Sequence, residues 1–547
     1  VSQQTGTANA IVEAVVRRGI DTAFCVPGES YLAAMDAFYD RDDVQLIATR
    51  HEEGAGLAAE AYAKISGRTG VCFVTRGPGL THLAIALHTA FQDSTPLVAI
   101  VGQVPTEVRH REAFQEMDIL AYSRPMAKWA VEIGRGDRAE EIIERAFAVA
   151  ESGRPGPVVV SLPEDVDREL TEYAPWKAAQ RAEQRASDDS VREMADLLAS
   201  AQRPCIIAGT AGQHSDGHEP LVALAEQLGA PVYTAWRRPD AFPNDHDLYR
   251  GTMPTLPKDL VSSLREADVI VAVGTRLDEY STLDYSVPAP HQRMIQIDVS
   301  AADFSMPNAS YSVAADPGPT LRALVAELNE RGHRGVGWDG PTATDGYRLQ
   351  VTPQARPEGA MGLVHPEGVY HDLRERFGGD VITTSDAGTF AGWLMRFHRW
   401  TRPQTFAGPT AGGMGYALPS AIGAKMARPE LPVLAFAGDG GYTMTFSEIE
   451  TAVRLGLQQF VVLVFNNSLY GTIRKHQNRE FPGRAVATDL GTIDFAGVAN
   501  AMGAWGATVE DNASFAPTLE AALASGLPAV IDIRVHPELL DPWGEKK

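Results

Sequence analysis

Two apolar runs near the C-terminal end constrain this chain more than any other feature. Leu434-Ala435-Phe436-Ala437 runs into Gly438-Asp439-Gly440-Gly441, and Val461-Val462-Leu463-Val464-Phe465 runs into Asn466-Asn467. Each reads as a buried strand with a polar tip, and a helix-length stretch separates them. Such a strand-helix-strand unit makes parallel strands, so both tips fall at the carboxyl edge of one sheet, where open α/β sheets bind ligands. Asp439 offers a hard anionic oxygen there, and Asn467, 28 positions later, a neutral amide oxygen. That mixture suits an octahedral Mg²⁺ whose remaining ligands are phosphate oxygens and water. Gly440 and Gly441 carry no side chain, so backbone N–H groups at the helix start can approach a diphosphate. A lone Gly-Asp-Gly is commonly just a strand-to-helix turn; the second tip carries the metal reading.

The same alternation extends along the chain. Val71-Cys72-Phe73-Val74 and Leu97-Val98-Ala99-Ile100-Val101 read as strands around a helix from Leu80 to Phe91, with Arg76-Gly77-Pro78-Gly79 as a turn. Further strands are expected at Pro204–Gly209, Val269–Gly274 and Met294–Asp298. A chain of 547 residues is too long for one core and implies about three domains. The fold class is α/β, with three doubly wound parallel-sheet domains at residues 1–170, 190–335 and 360–547. The first and third are similar enough in size and alternation to be divergent duplicates. Thr171–Asp189 and the Gly-, Pro- and Thr-rich stretch 332–362 read as linkers.

The net charge of −22 leaves no basic surplus for general binding of nucleic acid or a membrane surface. No apolar run approaches the ~18 residues of a transmembrane helix. Val1-Ser2-Gln3-Gln4-Thr5 shows no signal-like charge or apolar stretch, and Cys25, Cys72 and Cys205 sit apart in apolar settings. A cytoplasmic protein is expected.

The Gly-Asp-Gly and Asn-Asn tips together resemble the signature of thiamine-diphosphate (ThDP) enzymes, and further segments extend the resemblance to the acetolactate synthase and pyruvate oxidase type. Arg50-His51-Glu52-Glu53-Gly54-Ala55 resembles the family's R-H-E-x-G-A segment, which puts Glu52 at the carboxyl that hydrogen-bonds the cofactor's pyrimidine. Acids at a helix start are also ordinary capping residues. Phe24-Cys25-Val26-Pro27-Gly28 resembles the F-x-x-PG loop, with Pro27 and Gly28 near the cofactor, and Thr75–Gly79 the SGPG turn. Ala113-Phe114-Gln115-Glu116-Met117-Asp118 is similar to the segment whose Phe and Gln border the reacting carbon. Gly412-Gly413-Met414-Gly415 implies a Gly412 carbonyl for the pyrimidine amino group and Met414 as the wedge that bends the cofactor. Gly388, Thr389 and Phe390 are implied as further contacts, with Gly471, and the Leu469 carbonyl as a third protein ligand of Mg²⁺ beside Asp439 and Asn467.

Elsewhere the chain departs from anabolic acetohydroxyacid synthases. Where those place a Lys, an Arg and a Trp for the second keto acid, this chain has Glu164, Tyr280 and His476, and His82 replaces a usual Asn. The expectation is an acceptor pocket without a cation at those positions, suited to a neutral or less anionic acceptor. Glu29 reads either as a proton relay or as a plain turn residue, and His476 and His110 are the histidines expected near substrate. Gly209-Thr210-Ala211-Gly212 and Gly251-Thr252-Met253-Pro254 match FAD-binding segments only weakly, which weighs against FAD.

The resemblance implies an enzyme whose C2 carbanion attacks a 2-keto acid, expels CO₂ and transfers an acyl carbanion, with Glu52, Phe114, Gln115 and His476 at the reacting atoms. The same chemistry also serves C–C lyases of 2-hydroxy ketones or 2-hydroxyacyl-CoA. A non-catalytic relative would have to retain Glu52, Asp439 and Asn467 without using them. The resemblance further implies a homodimer or homotetramer, with each active site between the Glu52 domain of one subunit and the Asp439 domain of another.

Overall fold

The computed structural model describes residues 3–173, 182–210, 215–300, 309–335, 337–355, 363–540 and 542–543. Within them are three six-stranded sheets in which every strand pair is parallel. The first contains Thr22–Cys25, Gln45–Ala48, Gly70–Thr75, Leu97–Gln103, Trp129–Glu132 and Pro157–Pro163. Numbered by sequence within the sheet, these lie in the order 2-1-3-4-6-5. The third contains Ile382–Ser385, Phe406–Ala407, Val433–Gly438, Phe460–Asn466, Trp505–Val509 and Ala529–Arg534, and its order is again 2-1-3-4-6-5. The middle sheet, from Pro204–Ala208 to Ala309–Ala314, has the order 3-2-1-4-5-6. Its central strands are buried apolar runs such as Val269–Val273, as a sheet covered on both faces requires. The expected β-α-β alternation is therefore present in all three units.

One apolar core joins the first and third sheets, running from Phe24, Leu83 and Val101 through Ala421 and Ile449 to Val462 and Val530. Its seam is the contact between helix Glu52–Ser66 and helix Ala417–Ala427. Small residues let the backbones touch: a Cβ on Gly423 would lie 1.9 Å from the Ala58 carbonyl oxygen. The middle unit is tied in through Asp93, which is buried beside Lys64 at 3.2 Å and Arg238 at 3.0 Å and accepts from the Thr410 N–H at 3.0 Å.

Three local expectations change. Arg76–Gly79 is not a free turn but the first turn of helix Arg76–Asp93, where Pro78 is tolerated because first-turn N–H groups lack helical partners. The first linker begins as a strand, Leu170–Tyr173, paired antiparallel with Gln3–Gly6. Its central residues 174–181 lie outside the described region. The second linker contains a helix, Gly340–Val351, that buries only Thr344, Tyr347 and Val351. So few apolar anchors, with Gly346 among them, leave no readable period. Residues 356–362 of that stretch are not described.

Candidate active site

The two strand tips fall where the pattern placed them. Asp439 is the first residue of helix Asp439–Thr445, directly after strand Val433–Gly438, and Asn467 follows the neighbouring strand Phe460–Asn466. In the loop before the second strand, Gly456 and Gln459 take positive φ values of 63° and 50°. The two asparagines then divide. Asn466 is buried and donates to Asp532 at 3.0 Å, whereas Asn467 is half-buried and accepts from the Leu469 N–H at 3.1 Å.

Around these tips lies a cleft of about 460 Å³ lined by Gly388, Thr389, Met414, Gly440, Asn467 and Leu469, among others. Gly412, Phe390, Gly441 and Gly471 also line it. The Thr389 N–H donates to the Thr472 hydroxyl at 3.0 Å, fixing one wall. Asp439 Oδ1 accepts from the Gly440 N–H at 2.9 Å, while its Oδ2 is buried without a partner. Burial raises the Asp439 carboxyl to about 6. An orphaned carboxylate oxygen beside an amide oxygen, facing a glycine-lined cleft, fits a hard divalent cation and a diphosphate.

Among the described residues, neither Glu52 nor any other residue before Pro366 lines this cleft. Glu52 opens helix Glu52–Ser66, largely buried, and its Oε2 lies 2.8 Å from His82 Nδ1. The His82 ring stacks on His51 with centroids 4.5 Å apart. Pro27 and Gly28 follow strand Thr22–Cys25, and a Cβ on Gly28 would meet Thr75 at 2.4 Å. Gln115 has a φ of +64°, and its carbonyl accepts from the Gly77 N–H at 3.1 Å, while Phe114 beside it is 74% exposed. A single chain thus carries two half-sites, Glu52 with Gln115 on the first sheet and Asp439 with Asn467 on the third.

The three acceptor positions are not brought together. Tyr280 packs on Trp236 and lines a second cavity with Lys475, His476 is exposed beside Arg479 at 3.0 Å, and Glu164 opens a short helix just after strand Pro157–Pro163 of the first sheet. His110 is exposed on the Gln115 segment. Glu164 is also not an unbalanced acid: its Oε2 pairs with Arg76 at 2.9 Å and its Oε1 with Arg168 at 2.7 Å. Arg76 also reaches Glu29 at 2.8 Å. The cation beside Glu164 comes from elsewhere in the chain, Arg76 at the start of helix Arg76–Asp93.

Residues 5–122, 191–324 and 386–533 match family models described as the N-terminal TPP binding domain, the central domain and the C-terminal TPP binding domain of thiamine pyrophosphate enzymes. An acetolactate synthase of Mycobacterium bovis is 33% identical over 556 residues, which cover 97% of this chain and 88% of that relative. An acetolactate synthase large subunit of Parasynechococcus marenigrum is 32% identical, covering 98% and 88%. A probable acetolactate synthase large subunit of Methanocaldococcus jannaschii is 31% identical, covering 97% and 92%. The chain belongs to the thiamine pyrophosphate enzymes, of the acetolactate synthase type.

It is accordingly a ThDP-dependent enzyme that forms or cleaves C–C bonds. For such an enzyme, local sequence patterns missed the groups that hold the Glu52 segment. Glu448, on the third unit, accepts from the Arg50 and His51 N–H groups at 3.0 and 3.1 Å and so anchors the residues just before Glu52. Behind it, burial and neighbouring acids raise the Glu53 carboxyl to about 7, and burial raises Asp386 to about 7. Nothing in sequence pairs residue 50 with residue 448. A cavity of about 520 Å³ opens at the carboxyl ends of Pro204–Ala208 and Val269–Val273, where the strand order of the middle sheet reverses, and is lined from the other units by residues such as Gln92, Arg154 and Gln404. Gly209 and Thr210 line it, but a Cβ on Gly209 would lie 2.2 Å from the Gly274 oxygen, so close packing accounts for that glycine. Ala211 and Gly212 of the weak FAD match lie outside the described residues. Among the described residues, no helix is long and apolar enough to cross a membrane.

Proposed function

We propose that this enzyme is a Mg²⁺-dependent carboligase or decarboxylase acting on a 2-keto acid. The observation that carries the reading is the buried, unpartnered Asp439 Oδ2 beside Asn467 at the mouth of a glycine-lined cleft. Asp439, Asn467 and the Leu469 carbonyl hold Mg²⁺. Gly440 and Gly441 at the helix start, with Gly388, Thr389, Phe390 and Gly471, take the diphosphate. Bound ThDP supplies the electron sink that lets a 2-keto acid lose CO₂. Glu52 exchanges a proton at the pyrimidine ring. Met414 and the Gly412 carbonyl orient the cofactor, Pro27 and Gly28 border its other ring, and Phe114 and Gln115 border the reacting carbon. His476 sits on the helix whose start lines the cleft and serves the substrate channel.

Since Glu52 does not line its own chain's Asp439 cleft, the working site joins Glu52 of one subunit to Asp439 of another in a homodimer or homotetramer. The working domain limits are 1–170, 190–335 and 360–547. The similarity to acetolactate synthases favours a 2-keto acid as donor. The test is ThDP- and Mg²⁺-dependent release of CO₂ from a panel of 2-keto acids, run beside cleavage of 2-hydroxyacyl-CoA. CO₂ release with a ligated product supports the reading; cleavage of the thioesters alone replaces it with the lyase.

A further inference from the structure

The first and third sheets share one strand order, and in each the first helical residue after the third strand stands at the point where that order reverses. In the third sheet this residue is Asp439, and in the first it is Arg76. Arg76 is 6% exposed, holds a φ of +45° unusual for a residue with a side chain, and has its Nε buried without a partner. Its two terminal nitrogens are unequally engaged. Nη2 meets Glu164 at 2.9 Å, and Glu164 has an 18% exposed side chain held again by Arg168. Nη1 meets Glu29 at 2.8 Å, and the Glu29 side chain is 65% exposed.

We propose that Arg76 binds the carboxylate of the acceptor substrate, a second 2-keto acid, and that Glu29 occupies that place until the acceptor displaces it. This rests on the carboligase reading above. A buried guanidinium recognises planar carboxylates through its fork, and exchanging one carboxylate for another keeps it paired throughout. Glu29 is the partner that can leave, because its own side chain is mostly in water and held, among the described residues, only by Arg76, whereas doubly held Glu164 stays. The location suits an acceptor. Gly77, next in chain, bonds the Gln115 carbonyl, and a Cβ on Gly79, one turn further, would lie 3.6 Å from Glu52 Oε1.

The test uses the ThDP- and Mg²⁺-loaded full chain with pyruvate as donor and two acceptors that differ only by a carboxylate, 2-ketobutyrate and propanal. Arg76→Gln is expected to lower the ratio of kcat/KM for 2-ketobutyrate over propanal by about tenfold or more, through KM. Glu29→Gln, which removes the competing carboxylate without touching the cation, is expected to raise the same ratio. It serves also should Arg76→Gln fail to fold. An unchanged or lower ratio in Glu29→Gln, an unchanged ratio in Arg76→Gln, or a wild type that couples propanal and rejects 2-ketobutyrate would each overturn the assignment. Exchange of the ThDP C2 proton is measured in parallel in the wild type. Its absence would refute the carboligase reading itself, whereas exchange with unmoved ratios refutes only the role of Arg76.

Discussion

The first and third sheets have the same topology and opposite electrostatics at their carboxyl edges. The third edge is stripped down: glycines at 438, 440 and 441, two carboxylates, Asp386 and Asp439, each with an unpartnered oxygen, and a helix start open to an anion. The first edge is crowded and internally paired, Glu52 with His82 and Arg76 with Glu29 and Glu164. One scaffold therefore presents an open edge with unpartnered carboxylate oxygens, and a crowded edge whose acids are already paired. Topology sets where a ligand lands; the residue after the third strand sets its sign.

The largest expected effect falls on the open edge. Asp439→Ala removes the carboxylate the cation needs and is expected to weaken ThDP and Mg²⁺ binding by roughly a hundredfold or more, with no comparable loss from substitutions on the first edge. Cofactor content after gel filtration and titration of the apo-protein measure it. Stoichiometric ThDP in that variant would erase the contrast between the edges.

Of comparable size, but on turnover rather than cofactor binding, is Glu52→Gln. The amide keeps the shape but cannot exchange a proton, so turnover is expected to fall by roughly two to four orders of magnitude while ThDP binding weakens only modestly. Near-native C2–H exchange in this variant would mean that the first edge does no proton chemistry. A smaller change is expected from His82→Asn, which keeps a donor toward Glu52 Oε2 but removes the ring stacked on His51. Exchange should slow roughly three- to tenfold, because a hydrogen bond to a charged group is weakened rather than lost. A loss as large as that of Glu52→Gln would make the pair one unit.

The unequal legibility of the two edges in sequence has the same origin. The third edge is written in consecutive residues, so its glycines, Asp439 and Asn467 could be named from local pattern and resemblance. The strand-and-helix alternation gave the α/β class for the same reason. The first edge is assembled from contacts across 47 and 88 positions, Arg76 to Glu29 and to Glu164, and its support from Glu448 spans 398. One local signal existed: a long cation where the resemblance calls for a small residue before Gly77-Pro78-Gly79. The Gly340–Val351 helix was illegible because three buried side chains in twelve residues define no stripe.

The smallest effect concerns the seam where the first and third units meet inside one chain. Glu53 of the first unit faces Asp386 and Glu448 of the third, with His82 as the nearby group of opposite tendency. Burial and those acids raise Glu53 from 4.5 to about 7, so the folded state holds a proton that the unfolded chain releases. The sign follows. The carboxyl's contribution to stability is full below the unfolded value of 4.5 and is lost as pH rises through about 7. Glu53→Gln keeps a neutral side chain at every pH. Near pH ~5 wild type and variant should melt together, and near pH ~8 the variant should melt higher by roughly a few degrees. Asp386 and Glu448 remain in both proteins and cancel in the difference. Melting curves that stay parallel across this range would show that Glu53 is solvated when the subunits assemble, and that the seam is no more strained than either edge alone.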